Sequence, residues 1–276
     1  MNIELVEKDE HNLVFIVEGI SLEMANALRR IMVREIPTMA IDEVIILKND
    51  SPLYDEIVAH RLGLIPLKTD LETYKLPRDC ECGGYGCPLC QVSLTCEITN
   101  TSNHSVVIYS KDLKSNDPAI APVDPYTPIV KIDKDDKIIL EAYAILGVSS
   151  THAKFQPVSN VFYRFYPSIE LDNSKCSKCS DKCAAGRFCP KKLFDVSSGK
   201  AELIDKYWRT CTLCDACEAN CPEEAIKINT KEDTYIFSVE SDGCHSFEVL
   251  IKKTFEIFLS KIDEFMTKLE EIEIES

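Results

Sequence analysis

The residues in this chain that can do chemistry are its cysteines, 14 in all. All but Cys244 fall in two stretches, 80–96 and 176–221. The first residues, MNIELVEKDE, are acidic and strand-like rather than a secretory signal, so the chain is expected to be cytosolic, where thiols stay reduced. Reduced cysteines at short spacings point to metal. The first stretch holds Cys80, Cys82, Cys87 and Cys90 in the loop DCECGGYGCPLC, spaced C-x-C-x4-C-x2-C. Four thiolates this close can surround one tetrahedral zinc ion, and Gly83, Gly84 and Gly86 supply the turn freedom that closing such a loop requires. The C-x-C step is tighter than the usual zinc pair, and free or partly oxidised thiols are the competing reading. Cys96 sits in the strand-like run SLTCEIT and reads as a core thiol.

The second stretch carries Cys211, Cys214, Cys217 and Cys221 as C-x2-C-x2-C-x3-C-P, the run found in bacterial ferredoxins. Upstream, Cys176, Cys179, Cys183 and Cys189 repeat that plan with two stretched gaps and the same following proline, Pro190. In two-cluster ferredoxins three thiolates come from one tight loop and the fourth cysteine serves the other cluster. Carried onto this chain, the likeness implies one [4Fe–4S] cluster on Cys176, Cys179, Cys183 and Cys221 and another on Cys211, Cys214, Cys217 and Cys189. The stretched first motif leaves its cluster open to a [3Fe–4S] form or to absence. Zinc and disulfides are the alternatives, although zinc favours paired C-x2-C knuckles. Residues 174–224 hold few large apolar side chains, so metal–thiolate bonds would supply folding free energy there. Two roles follow: a ferredoxin-like electron-transfer protein or redox-enzyme subunit, or a structural, oxygen-sensitive staple. The staple is the favoured one, because no flavin or nicotinamide fingerprint accompanies the cysteines.

Composition narrows the class. The chain has 276 residues, enough for two or three domains, and 45% hydrophobic with 28% charged residues is typical of a soluble globular protein. A net charge of −15 argues against a direct, sequence-specific grip on nucleic acid and suits a solvated surface or basic protein partners. The longest apolar run, around Ile138 to Val148, is broken by Glu141 and is too short for a membrane span.

The elements that must position these cysteines are legible from periodicity. Residues 2–8 and 12–18 alternate as strands of a hairpin. Gly19 to Pro37, GISLEMANALRRIMVREIP, reads as one helix, with Ser21 as N-cap and Pro37 as its stop. Leu22, Ala25, Leu28, Met32 and Ile36 make one apolar stripe along it. Strands are expected over 40–47, 91–99, 105–110, 137–148 and 160–171, and a short helix over 54–61. His60 and Arg61 read as a satisfied histidine and a surface arginine. A hairpin of 225–229 and 234–240 leads into a long final helix. There Phe247, Ile251, Phe255, Phe258, Ile262, Phe265, Leu269 and Ile272 recur at three- and four-residue steps, close to a heptad seam. Each such side chain is worth about 1.5–3 kcal/mol when buried, too much apolar surface to leave in water.

The wording of two of these stretches is specific. NALRRIMVREIP followed by Ala40-Ile41-Asp42-Glu43-Val44, with HRLGLIPL at 60–67, resembles the assembly-subunit family of cellular RNA polymerases. Its bacterial member is the alpha subunit N-terminal domain. The match looks nearer to the archaeal branch of the family, whose members are relatives of the third-largest subunit of eukaryotic RNA polymerase II. The likeness runs from end to end. It implies an α+β fold: a discontinuous dimerisation domain (1–48 and 225–276), a mainly-β insert (49–173) and a ferredoxin-like iron–sulfur domain (174–224). It implies a non-catalytic scaffold that pairs with the small subunit L and then recruits subunits N and P and the two large catalytic subunits. The interface it implies comprises Leu28, Arg29, Met32 and Ile36 of the opening helix with Phe255, Phe258, Ile262, Phe265 and Leu269 of the closing one. The eukaryotic relatives carry a zinc loop where Cys80 to Cys90 stand, and many archaeal ones have lost it. The magnesium-binding NADFDGD motif of the polymerase's catalytic subunits is absent from the sequence.

Overall fold

The structure is a computed structural model, and it describes residues 1–176, 183–196 and 201–274. In chain order the elements are β1 (Asn2–Lys8), β2 (Asn12–Glu18), α1 (Leu22–Arg34), β3 (Thr38–Asn49), α2 (Asp55–Gly63), β4 (Gln91–Thr99) and β5 (Val106–Tyr109). Then come β6 (Lys114–Ser115), β7 (Pro128–Ile132), β8 (Lys137–Gly147), β9 (Asn160–Leu171), α3 (Asn173–Cys176) and α4 (Ala184–Phe188). The chain closes with β10 (Phe194–Asp195), β11 (Glu202–Leu203), α5 (Ala216–Ala219), β12 (Ile226–Glu240) and α6 (Phe247–Ile274). No helix among the described residues is long and apolar enough to cross a membrane.

Packing divides the chain into two compact units. The first comprises Met1–Val6, Phe15–Leu22 and Tyr163–Phe237. Aromatic rings organise it: Phe15 stacks on Phe237 with centroids 5.2 Å apart, and Tyr163 meets Tyr235 edge-on at 5.6 Å. The second comprises Glu7–Val14, Glu23–Phe162 and Ser238–Ser276. Its core lies under the sheet β3-β8-β4-β6, where β8 alternates strictly. Ile138, Leu140, Ala142, Ala144 and Leu146 all point into the core, as period-2 geometry demands. The last residue of β8 is Gly147, where a Cβ would stand 2.6 Å from the Phe155 ring.

Two details differ from the expectation. The strand after the opening helix runs over Thr38–Asn49 and pairs with β8 along its length, from Thr38 opposite Gly147 to Asn49 opposite Ile138. It therefore belongs with the insert's strands, and the change of sheet falls near Pro37 rather than at residue 48. The expected hairpin of 225–229 and 234–240 is instead one 15-residue strand, β12, in the sheet ordered β1-β2-β12-β9. Its polar middle, Thr230 to Asp233, looked like a turn. Asp233 takes φ 48°, and its carbonyl accepts from the amides of Gly19 and Ile20 at 2.8 and 3.4 Å. The polar run is thus absorbed as an irregularity within a strand.

Candidate functional site

The loop Cys80–Cys90 brings its four sulfurs together. Sγ of Cys80 lies 3.5 Å from those of Cys82 and Cys87, Cys82 to Cys90 is 3.5 Å, and Cys87 to Cys90 is 3.8 Å. The local backbone explains this. Gly83, Gly84 and Gly86 have φ of 67°, 84° and 85°, a region an L side chain strains to enter. The Cys80 amide closes a turn on Pro77 O, and the Cys90 amide closes another on Cys87 O. Among the described residues this is the one group of metal-ligating side chains so gathered, with all ligand atoms within 4.8 Å. Burial opposes ionisation of Cys82, but hydrogen bonds from Cys80 and Cys90 outweigh it and bring its pKa down to about 6. Burial instead raises the pKa of Cys90. Metal binding to this group would displace protons from its thiols. Cys96 is a core thiol, pushed up to about 11 by burial.

The ferredoxin-type cysteines are placed by two matching half-motifs in the first unit. α4 packs against α5, and each is followed by a Cys-Pro step. In both steps the sulfur accepts from the amide four residues on: Leu193 N to Cys189 Sγ at 3.5 Å and Ala225 N to Cys221 Sγ at 3.4 Å. Cys189, Cys211 and Cys217 are buried in one core, with Cys183 and Cys221 at its edge and Cys214 exposed. Burial, together with the neighbouring Cys189, raises the pKa of Cys217 to about 11. Within the loop from Cys211 to Cys217, Leu213 and Asp215 both have positive φ, 52° and 55°. Non-glycine residues persist there when the surroundings hold them, which is common at ligand cradles. Cys179, with the side chain of Cys176, lies outside the described residues.

Sequence reasoning missed Arg164. It is the one cation in the aromatic strand NVFYRFYPSIEL, and that isolation was the available signal. On β9 its guanidinium donates to Cys211 O at 3.3 Å and to Arg209 O at 2.7 Å, at the mouth of the second cysteine loop.

The two helices of the expected seam are placed differently. Leu28, Met32 and Ile36 are buried within the chain's own fold. An apolar stripe says that a face is covered, not by which chain, and here the chain's own fold covers it. Arg29 is half-buried and tied to Asn26 Oδ1 by Nε and Nη2, at 3.3 and 3.0 Å. Phe255 and Phe258 are half-buried, whereas Ile262, Phe265 and Leu269 are exposed, Phe265 by 62%. Leu259, Met266 and Ile272 extend the exposed row. The open flank of α1, through Ala27, Arg30 and Ile31, faces Phe258, Ile262 and Phe265 of α6 across a groove of about 370 Å³. Lys261 pairs with Glu35 at 2.9 Å at its side. His60 is exposed, and Arg61 donates to Pro128 O at 2.7 Å, as a surface arginine would.

An antiparallel-rich α+β fold here carries a long amphipathic helix whose distal apolar row is exposed. Residues 14–262 match the family model described as the RNA polymerase Rpb3/Rpb11 dimerisation domain, and the chain belongs to that family, in its archaeal Rpo3 branch. Its relatives include the DNA-directed RNA polymerase subunit Rpo3 of Methanosphaera stadtmanae, 41% identical over 91% of this chain and 92% of that one. The Rpo3 of Methanosarcina acetivorans is 37% identical over 99% of both chains, and that of Pyrococcus horikoshii 34% over 99% of both.

Proposed function

We propose that this protein is a non-catalytic assembly subunit of a DNA-dependent RNA polymerase, which lends α6 and the open flank of α1 to a second helical chain. One observation carries the reading: the row Leu259, Ile262, Phe265, Met266, Leu269 and Ile272, exposed along the distal half of α6. An apolar row of that length on a soluble chain marks a surface another chain covers. The covering chain is the small subunit L, after which subunits N and P and the two large catalytic subunits join. In functional terms 1–48 and 225–276 form the dimerisation domain, with β3 lending its strand to the insert at 49–173. Residues 174–224 form a ferredoxin-like segment. Family membership does not favour the electron-transfer alternative.

The cysteine groups suit metal as braces. Sulfur separations of 3.5–3.8 Å in the loop Cys80–Cys90 fit the edge of about 3.8 Å around a zinc ion with Zn–S bonds near 2.3 Å. Cys80, Cys82, Cys87 and Cys90 would hold that ion. Cys189, Cys211, Cys214 and Cys217 would hold one [4Fe–4S] cluster, and Cys176, Cys179, Cys183 and Cys221 the other. When bound, such groups supply cross-links between loops that have little core of their own. Around them this chain's residues shield the thiols, present amides to sulfur and fix the loops to the sheet.

Co-expression with the small subunit L tests the assignment. The wild-type chain is expected to purify as a stable one-to-one heterodimer. Ile262→Asp with Phe265→Asp, both on the exposed face, should leave the chain folded and abolish pairing. A chain that stays monomeric beside excess L sinks the reading.

A further inference from the structure

We propose that Arg164 is a positioning residue for the second iron–sulfur loop, fastening the entry of that loop to β9 so that Cys211, Cys214 and Cys217 converge. The inference rests on the cluster assignment above and deepens it. The entry to the loop is a short turn, Tyr207–Arg209, closed by the Cys211 amide donating to Tyr207 O at 3.0 Å. Three contacts hold this strap to the sheet. The Arg164 guanidinium bridges the carbonyls of Arg209 and Cys211. Trp208 stacks on Tyr166, two residues along the same strand, with centroids 5.7 Å apart and planes 25° from parallel. Arg209 reaches back to Val6 O at 3.4 Å. Of these, the Arg164 bridge is the one that ends on a proposed cluster ligand.

The chemistry of the bridge suits the role. A planar guanidinium can span two carbonyls in a fixed fork, which an ammonium cannot do. The carbonyls of Arg209 and Cys211 are thereby turned toward β9, which fixes where the loop begins. Arg164 is half-buried. A cation in that place is offset best by a negatively charged group in the loop, and four thiolates around iron are such a group.

The full chain, purified without oxygen, carries the test, with iron and sulfide counted per chain. Arg164→Gln removes charge and fork, and Arg164→Lys keeps charge alone. Partners outside the ligand set typically cost 10–100-fold in metal affinity when lost. Both variants should therefore lose iron in air about tenfold faster than wild type. The reduction potential should separate them: Gln lowers it, because the more negative reduced cluster loses its cation, whereas Lys leaves it close to wild type. Trp208 is the only tryptophan, so its fluorescence reports the strap directly and should shift in both variants. Wild-type iron retention and potential in both variants would overturn the role of Arg164 while the cluster assignment stood. Iron-free wild-type protein would overturn both. Unfolding of the whole first unit in both variants would reduce Arg164 to a general support and overturn it equally.

Discussion

Between Cys80 and Cys90 four sulfurs stand 3.5–3.8 Å apart before any ion is considered. Between Cys183 and Cys221 the thiols come from two half-motifs that meet only because α4 packs on α5, and Cys214 remains exposed. The first arrangement is local. Three glycines at positive φ and two tight turns fold a loop whose ends are already close, so closing it costs little chain entropy. The second is tertiary. Its buried thiols are Cys189, Cys211 and Cys217, and they share one core with apolar side chains drawn from several elements, Ile169, Leu193, Phe194 and Ile226 among them. The pair teaches that a metal can lock a loop that is already shaped, or can be the reason that a segment has a shape.

The largest expected effect tests the second half of that statement. Cys217→Ser removes a buried thiol from the centre of the core that holds the ferredoxin-type cysteines. Limited proteolysis should then cut within 174–224 on the order of 100-fold faster, while the sheet β3-β8-β4-β6 keeps its protection. Unchanged protection in an iron-free variant would show that side-chain packing suffices and would erase the contrast. A smaller effect is expected in the other region. Cys87→Ser should remove one of the four sulfurs proposed to hold zinc and lower Tm by about 2–4 °C, the shift expected for about 1 kcal/mol in a chain of this size. Cleavage outside residues 77–91 should not change. A Tm drop as deep as that of Cys217→Ser would mean that the loop, too, owes its fold to metal.

Much of this could be read from sequence, for reasons that differ by element. Strands β4 and β9 fall where alternation put them, over 91–99 and 160–171. α6 follows from the spacing of its phenylalanines and isoleucines. The loop Cys80–Cys90 was legible because its four cysteines fall within eleven residues. The stripe of α1 misled: Leu28, Met32 and Ile36 are covered by the chain's own fold, which periodicity cannot tell from a partner. Strand β12 was hidden by the polar stretch around Lys231, whose side chain pairs with Glu18 at 2.5 Å. That partner lies more than 200 residues away, beyond any local pattern. Arg164 was marked only by its isolation on an aromatic strand, and its carbonyl partners, about 45 residues later, lie beyond any local pattern.

The finest test of the comparison is a single methyl group. Gly84 sits at φ 84°, and a Cβ there would lie 3.5 Å from Pro77 O and 3.6 Å from Pro77 Cβ, ordinary contacts. Gly84→Ala therefore meets no clash, and what it adds is backbone strain of about 1–2 kcal/mol in the left-handed region. The strain falls on the shaped, metal-bound loop while the metal-free loop can relax to escape it, so zinc affinity should drop about tenfold, as 1.4 kcal/mol dictates. The global unfolding midpoint of the metal-free chain should hardly move, because the loop can relax locally without disturbing the core. Zinc titration of the wild-type and variant chains against a competing chelator measures the ratio. Equal affinities would mean that the glycine conformation is not required in the metal-bound loop, and the two cysteine regions would then differ less than their geometry suggests.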